Sequence, residues 1–178
     1  MAARAQEVIC KRGLSSRPLS QLCACCGRFS YNISERLAVE GELDFFPDDN
    51  DDFVEGGRKT LGVAGVKAGV RKEGYGLFAK ARPGFVVYGA LIDCPQGTPT
   101  LEFCTTASRT YAALDLGGVI EFYPSGRSVI RFDVGDTMAF TRDRSFLKRL
   151  PFDEFASIRI PGGVKHNPQV SLGIGFRF

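Results

Sequence analysis

The chain has no tryptophan, a single histidine and no continuous apolar stretch of membrane-helix length. The last absence excludes a transmembrane helix, which needs about 18 or more consecutive apolar residues. It does not exclude a membrane, because transmembrane barrels alternate and never show such a run. The opening "MAARAQEVICKRGLSS" is basic, yet it has neither an apolar h-region nor a small-residue cleavage site. It does not read as a secretory signal. An excess of one charge sign is lacking too. A formal net charge of +3 argues against a nucleic-acid binder driven by bulk positive charge.

What is abundant is glycine, with 21 residues, and phenylalanine, with 15, in a chain of 178 that is 44% hydrophobic. The length suffices for one domain with a sizeable core. Rich glycine with rich aromatics suggests an all-β protein with many turns.

From Phe29 onward, short alternating segments are separated by turn chemistry. "RFSYN" reads as a strand and "ISER" as a tight turn. "LAVEGELDFF" places Leu37, Val39, Gly41, Leu43 and Phe45 on one face and Ala38, Glu40, Glu42 and Asp44 on the other. An acidic loop, "PDDNDDFVEGG", follows. "TLGVAGVKAGVRK" carries Lys67 and Arg71 on one face and turns back at "EG" into "YGLFAKARPGFVVYG", which carries Lys80 and Arg82. Pro83 removes a ladder hydrogen bond, so a distortion or bulge is expected there. A long loop is expected from about Leu91 to Arg109. "TYAALDLGGVIEFYP" then opposes Leu114, Leu116, Ile120 and Phe122 to Asp115 and Glu121, and "SVIRFDVGDTMAF" opposes Ile130, Phe132 and Val134 to Arg131 and Asp133. A further long connection, about Thr141 to Lys165, precedes a final strand ending "SLGIGFRF".

Connections therefore alternate between short and long, as consecutive antiparallel strands of an up-and-down barrel require. The polar faces also complement their neighbours in charge. Glu40, Glu42 and Asp44 lie beside a strand bearing Lys67 and Arg71; Lys80 and Arg82, then Asp115 and Glu121, then Arg131 and Asp133 follow. Opposite charges on adjacent strands stabilise a shared face. In a barrel of about eight strands they would fill the interior as an ion-pair network, not line a pore.

Periodicity alone does not say which face is wet. A soluble lipocalin-like barrel turns its apolar face inward; an outer-membrane barrel turns it to lipid. Three features favour lipid. The apolar rows carry no charge across their middles. The charged rows also hold small residues (Gly69, Gly117, Gly173, Gly175), which suits a crowded interior. Aromatics gather toward strand ends (Tyr31, Phe45, Phe46, Tyr75, Phe85, Tyr88, Tyr111, Phe122, Tyr123, Phe140), as interfacial girdles do.

The terminal "SLGIGFRF", with Ser171, Gly173, Phe176 and Phe178 in place, resembles the assembly signal of outer-membrane barrels. With "GRFSYNISERLAVEGELDFFP", "GVKAGVRKEGYGLFAKARPGF" and "LDLGGVIEFYPSGRSVIRFDVGDT", residues 27–178 resemble the small bacterial outer-membrane β-barrel family of OmpA-like and OmpX/Ail-like domains. The resemblance implies an antiparallel transmembrane barrel of about eight strands, inserted by the barrel-assembly machinery and surrounded by outer-membrane lipid and lipopolysaccharide. Its long loops would be available to an extracellular ligand. Residues 1–26 depart from the family's pattern. "RAQEVICKRGL" reads as a degenerate first strand, and no signal peptide for export is visible. The last strand would place Arg177 inside with the ion pairs, and Val170, Leu172, Ile174, Phe176 and Phe178 outside.

Other motifs carry less. "CACC" (Cys23, Cys25, Cys26) lacks paired C-x-x-C spacing and a nearby histidine, so no metal is expected. Cys94 and Cys104 flank one long loop and are candidates for a disulfide if that loop lies outside the cell. "PDDNDDFVEGG" lacks EF-hand spacing. The basic, apolar "FLKRLPF" would reach anionic headgroups or pack on the rim. His166 and Ser171 are the only candidates for a lipid A hydrolase site, and a catalytic pair must be within reach of each other. The expectation is an envelope or adhesion barrel that is not an enzyme, with no cofactor and no nucleic-acid partner. The alternatives are a soluble ligand-binding barrel and a lipid A-modifying enzyme.

Overall fold

The computed structural model describes residues 4–9, 26–46, 58–93, 105–149 and 155–177. Ten strands follow in order: β1 (Arg4–Ile9), β2 (Cys26–Asn32), β3 (Leu37–Phe46), β4 (Lys59–Arg71), β5 (Tyr75–Asp93), β6 (Thr105–Phe122), β7 (Ser128–Thr141), β8 (Arg144–Arg149), β9 (Phe155–Ile160) and β10 (Gly163–Arg177). Eight form one antiparallel barrel in the order β1-β10-β7-β6-β5-β4-β3-β2, and β8 and β9 make a separate two-stranded hairpin. No helix occurs among the described residues. The chain is thus an all-β, up-and-down barrel.

Short turns join β2 to β3, β4 to β5 and β6 to β7 at one end of the barrel. Two of them use the same device. The Ser34 hydroxyl accepts from the Arg36 and Leu37 amides (3.3 and 3.1 Å), and the Ser125 hydroxyl accepts from Arg127 and Ser128 (3.3 and 3.1 Å). A side-chain oxygen satisfies the amides that the reversal leaves without ladder partners. The connections at the other end are longer, and β8–β9 lies within the one between β7 and β10.

Closure is uneven. Among the described residues, β10 pairs with β7 over fourteen residue pairs, whereas β1 pairs with β2 over six and with β10 over two, Ala5↔Arg177 and Gln6↔Phe176. The weak first strand read from the sequence is the weak seam of the barrel.

Two expected boundaries move. β5 runs on to Asp93 and β6 starts at Thr105, so residues 91–93 and 105–109 of the loop expected from about Leu91 to Arg109 belong to strands. A register shift between Tyr88 and Leu91 breaks the alternation just where the strand continues, which makes its end read as loop. β10 begins at Gly163, because the polar "GVKHNPQ" pairs fully with β7 despite its composition. The distortion expected at Pro83 is present as a lapse in the ladder, while the strand's register shift lies further on, between Tyr88 and Leu91. Pro83 keeps its place opposite Leu114, and toward β4 the ladder only lapses, between Val63↔Gly84 and Val66↔Ala81, without changing register.

Glycines let the interior close. Gly117 and Gly135 face each other across β6 and β7. A Cβ on Gly117 would lie 2.8 Å from the Gly135 Cα and 3.0 Å from the Lys80 Cε. Gly117→Val is therefore expected to overpack the interior and cost about 1–3 kcal/mol, read as a lower urea midpoint than wild type. An unchanged midpoint would show that this pair is not tightly packed.

Candidate functional site: a charged interior and an apolar outer face

Strand alternation sorts side chains into two populations of opposite chemistry. Inside, the sequence-named residues Glu40, Glu42, Asp44, Lys67, Lys80, Arg82, Asp115, Glu121, Arg131 and Asp133 are all buried. Arg71 joins them with 17% of its side chain exposed. With Arg28, six cations stand against six carboxylates among the described residues, so this set carries no net charge. The Arg177 side chain lies outside the described residues, as do Phe178, Cys94 and Cys104.

The contacts span the barrel. Arg131 on β7 reaches Glu40 on β3, four strands away in either direction and so diametrically opposite. Its Nη2 donates to Glu40 Oε2 at 2.9 Å, its Nη1 donates to Oε1, and its Nε donates to Asp133 at 2.8 Å. Arg28 on β2 donates through Nε and Nη2 to Glu42 (3.0 and 2.7 Å) and through Nη1 to Asp133 on β7 (2.9 Å). That last bond crosses behind β1 and β10, the strands of the weak seam. Arg82 joins Asp115 (2.6 Å) to Glu42 (2.5 Å). Lys80 lies 3.0 Å from Asp115 and 3.4 Å from Asp133, and Lys67 bridges Glu40 (3.0 Å) and Glu121. Each of these five cations bridges carboxylates from more than one strand, a geometry that compensates buried charge.

Both ends of this layer are capped. Toward the short turns, Arg71 donates to the Tyr123 hydroxyl and to Asn32 Oδ1, both at 2.9 Å, and the Tyr123 hydroxyl donates to Glu121 at 2.7 Å. Burial, then the Glu121 carboxylate, push the Tyr123 phenol above its ordinary pKa, so it stays a donor. Phe78 lies under Lys67 and Arg71, 4.9 and 5.3 Å from its ring. Toward the long connections, Leu61, Val63, Val86, Tyr111, Ala113 and Ala139 form an apolar cluster flanked by Phe46 and Tyr88, with the Tyr88 and Tyr111 rings edge-on at 5.8 Å. Tyr88, Tyr111 and Tyr123 thus belong to the interior, not to the expected girdle. Their strand parity, shared with Val86, Asp115 and Glu121, turns them inward.

Outside, large apolar side chains are bare. Phe29, Val39, Leu43, Val66, Leu77, Leu116, Phe132, Val134, Leu172, Ile174 and Phe176 are each 38–62% exposed. A groove of about 730 Å³ crosses the outer faces of β2 to β5 over Gly27, Gly41, Gly62 and Ala64, between Phe29, Leu43 and Phe85. On β10, Ser171, Gly173 and Gly175 are buried while Val170, Leu172, Ile174 and Phe176 face out. Ser171 and His166 therefore lie on opposite faces of one strand and form no catalytic pair. His166 instead bonds Asp136 through Nδ1 at 2.5 Å on the outer face. Asp136 thus places a carboxylate on the outer row of β7, near the middle of the strand, where the sequence reading expects no charge.

Arg28, Ser30 and Asn32 were missed in the sequence reading of the network. They form the inward row of "RFSYN", and Ser30 donates to Glu40 at 2.8 Å. Thr137 and Gln169 were missed too; both bond Asp115. Among the described residues no group of three or more His, Cys, Asp or Glu side chains is placed to hold a metal ion.

No family model matches the chain, and no curated protein does. Among solved structures, the chain is similar to the crystal structure of Ail, the attachment invasion locus protein of Yersinia pestis, at 15% identity and a TM-score of 0.45, over 99% of this chain and 97% of that one.

Proposed function

We propose that the chain is an integral outer-membrane β-barrel with a structural or surface-interaction role, in envelope integrity or adhesion, and that it is not an enzyme. The observation that carries this reading is the inverted polarity. Among the described residues, Arg82, Arg131, Lys67, Glu40 and Asp115 are among the largest fully buried side chains, while 22 large hydrophobic residues are exposed. In water the hydrophobic effect drives the opposite arrangement, and a continuous apolar outer surface is an aggregation hazard. In lipid the same surface is the solvated one. The described apolar interior is a packed cluster over a charged layer, which is unlike the ligand cavity of a lipocalin-like barrel. Because that interior is filled, the reading extends to a barrel that conducts no solute.

Its partners would be outer-membrane lipid and lipopolysaccharide, with the barrel-assembly machinery during insertion. Any extracellular ligand would meet the long-connection end. No cofactor is required.

The test is refolding from denaturant. In detergent micelles or lipid vesicles the protein should acquire β-structure, migrate differently on a gel before and after heating, and resist urea. A monodisperse, folded protein in plain buffer would overturn the reading.

A further inference from the structure

We propose that the outer face of β7 and β10 is an interface between two copies of this chain, centred on the His166–Asp136 pair. The inference rests on the membrane reading above, since in water an exposed histidine–aspartate pair is unremarkable.

The pair is a polar island in an apolar field. The Asp136 carboxylate accepts from the Asn167 amide at 2.8 Å and lies 2.5 Å from His166 Nδ1. His166 stays 62% exposed and Asp136 34%. Val164 and Phe140 lie beyond it toward the long connections, and Val170 and Val134 lie on its other side. These four are 36–50% exposed, so the pair is surrounded by lipid-type surface on both sides. Acyl chains offer nothing to the outward edge of an imidazole or to a carboxylate's remaining lone pairs.

A second copy offers both. A two-fold axis along the membrane normal keeps both barrels in one orientation. It also brings each His166 toward the other copy's Asp136: Nδ1 faces its own carboxylate, so the outward Nε2 meets the partner's carboxylate, and the island complements itself when the imidazole carries both protons. The flanking valines and Phe140 would supply the apolar contact around it. An anionic headgroup fits less well, because Asp136 stands where such a group would approach the imidazole.

The test measures oligomeric state in lipid bilayer discs and in density-matched micelles, for wild type and two double variants. Asp136→Leu/His166→Leu makes the outer face uniformly apolar, so it should fold and insert normally but dissociate at least tenfold more readily. Asp136→His/His166→Asp keeps the self-complementary pair and should dimerise like wild type. Wild type that remains monomeric at the highest loading, or a leucine variant that dimerises equally well, would overturn the interface and leave the membrane reading standing. A wild-type protein that fails to float with vesicles would remove the membrane reading and the interface together.

Discussion

Replacing Arg131 with methionine is expected to destabilise the folded barrel by about 3–5 kcal/mol, a large share of the 5–15 kcal/mol typical of a folded domain. Arg131 is 0% exposed, and its guanidinium serves Glu40, Asp133 and Glu121 at once. Methionine restores most of the volume but none of the donors. Two carboxylates then lose their principal partner, and the balance of six cations and six carboxylates among the described residues turns negative. Desolvated charge without a partner costs far more than the pair contributes when whole. Adding Asp133→Asn to Arg131→Met should recover part of the loss by restoring neutrality. Arg127→Met, on the exposed turn between β6 and β7, should change nothing. The readout is the urea midpoint in micelles, followed by the gel-shifted folded fraction. Equal midpoints for Arg131→Met and Arg127→Met would show that the network does not hold the barrel.

Which residues share the interior was legible, because parity along a strand needs only local sequence. The bounds of β3, Leu37–Phe46, match the alternating run "LAVEGELDFF" residue for residue. Who meets whom was not legible. Arg131 and Glu40 are 91 residues apart and touch only because eight strands close and place β7 opposite β3. Adjacent-strand reasoning reaches Arg82–Asp115 but not a contact across the barrel. Arg28 could have been found from the row Arg28, Ser30, Asn32. It was hidden because "RFSYN" is short and holds a single charge. Tyr88 and Tyr111 were misread because nearness to a strand end was given more weight than parity. Asp136 continues the parity of Ile130, Phe132 and Val134, so its outward position was available from the sequence. The upper part of β5 was not, because a register shift reverses the alternation that would have revealed it.

Leu172→Arg should separate lipid from water as the medium of the outer face, with an effect comparable to the loss of Arg131. Leu172 is 58% exposed on β10, opposite Phe132. If that face meets water, arginine there removes little burial, and the change stays within about 0.5 kcal/mol, as surface substitutions do. If it meets lipid, an arginine near mid-bilayer costs about 2–4 kcal/mol, falling to about 0–1 near either interface. The depth dependence matters more than the size, because no soluble fold produces it. Phe176→Arg, four residues further along the same outward row and next to the short-turn end, should cost less than Leu172→Arg although Phe176 is equally bare at 59%. Both variants keep the interior contacts intact, since neither side chain faces the network. Urea unfolding from lipid vesicles gives the two costs directly. Equal and small losses would mean that the apolar face is not in a bilayer. A loss at Leu172 that exceeds the loss at Phe176 by 1 kcal/mol or more, about fivefold in the folding equilibrium, requires a hydrocarbon layer around the middle of the strand.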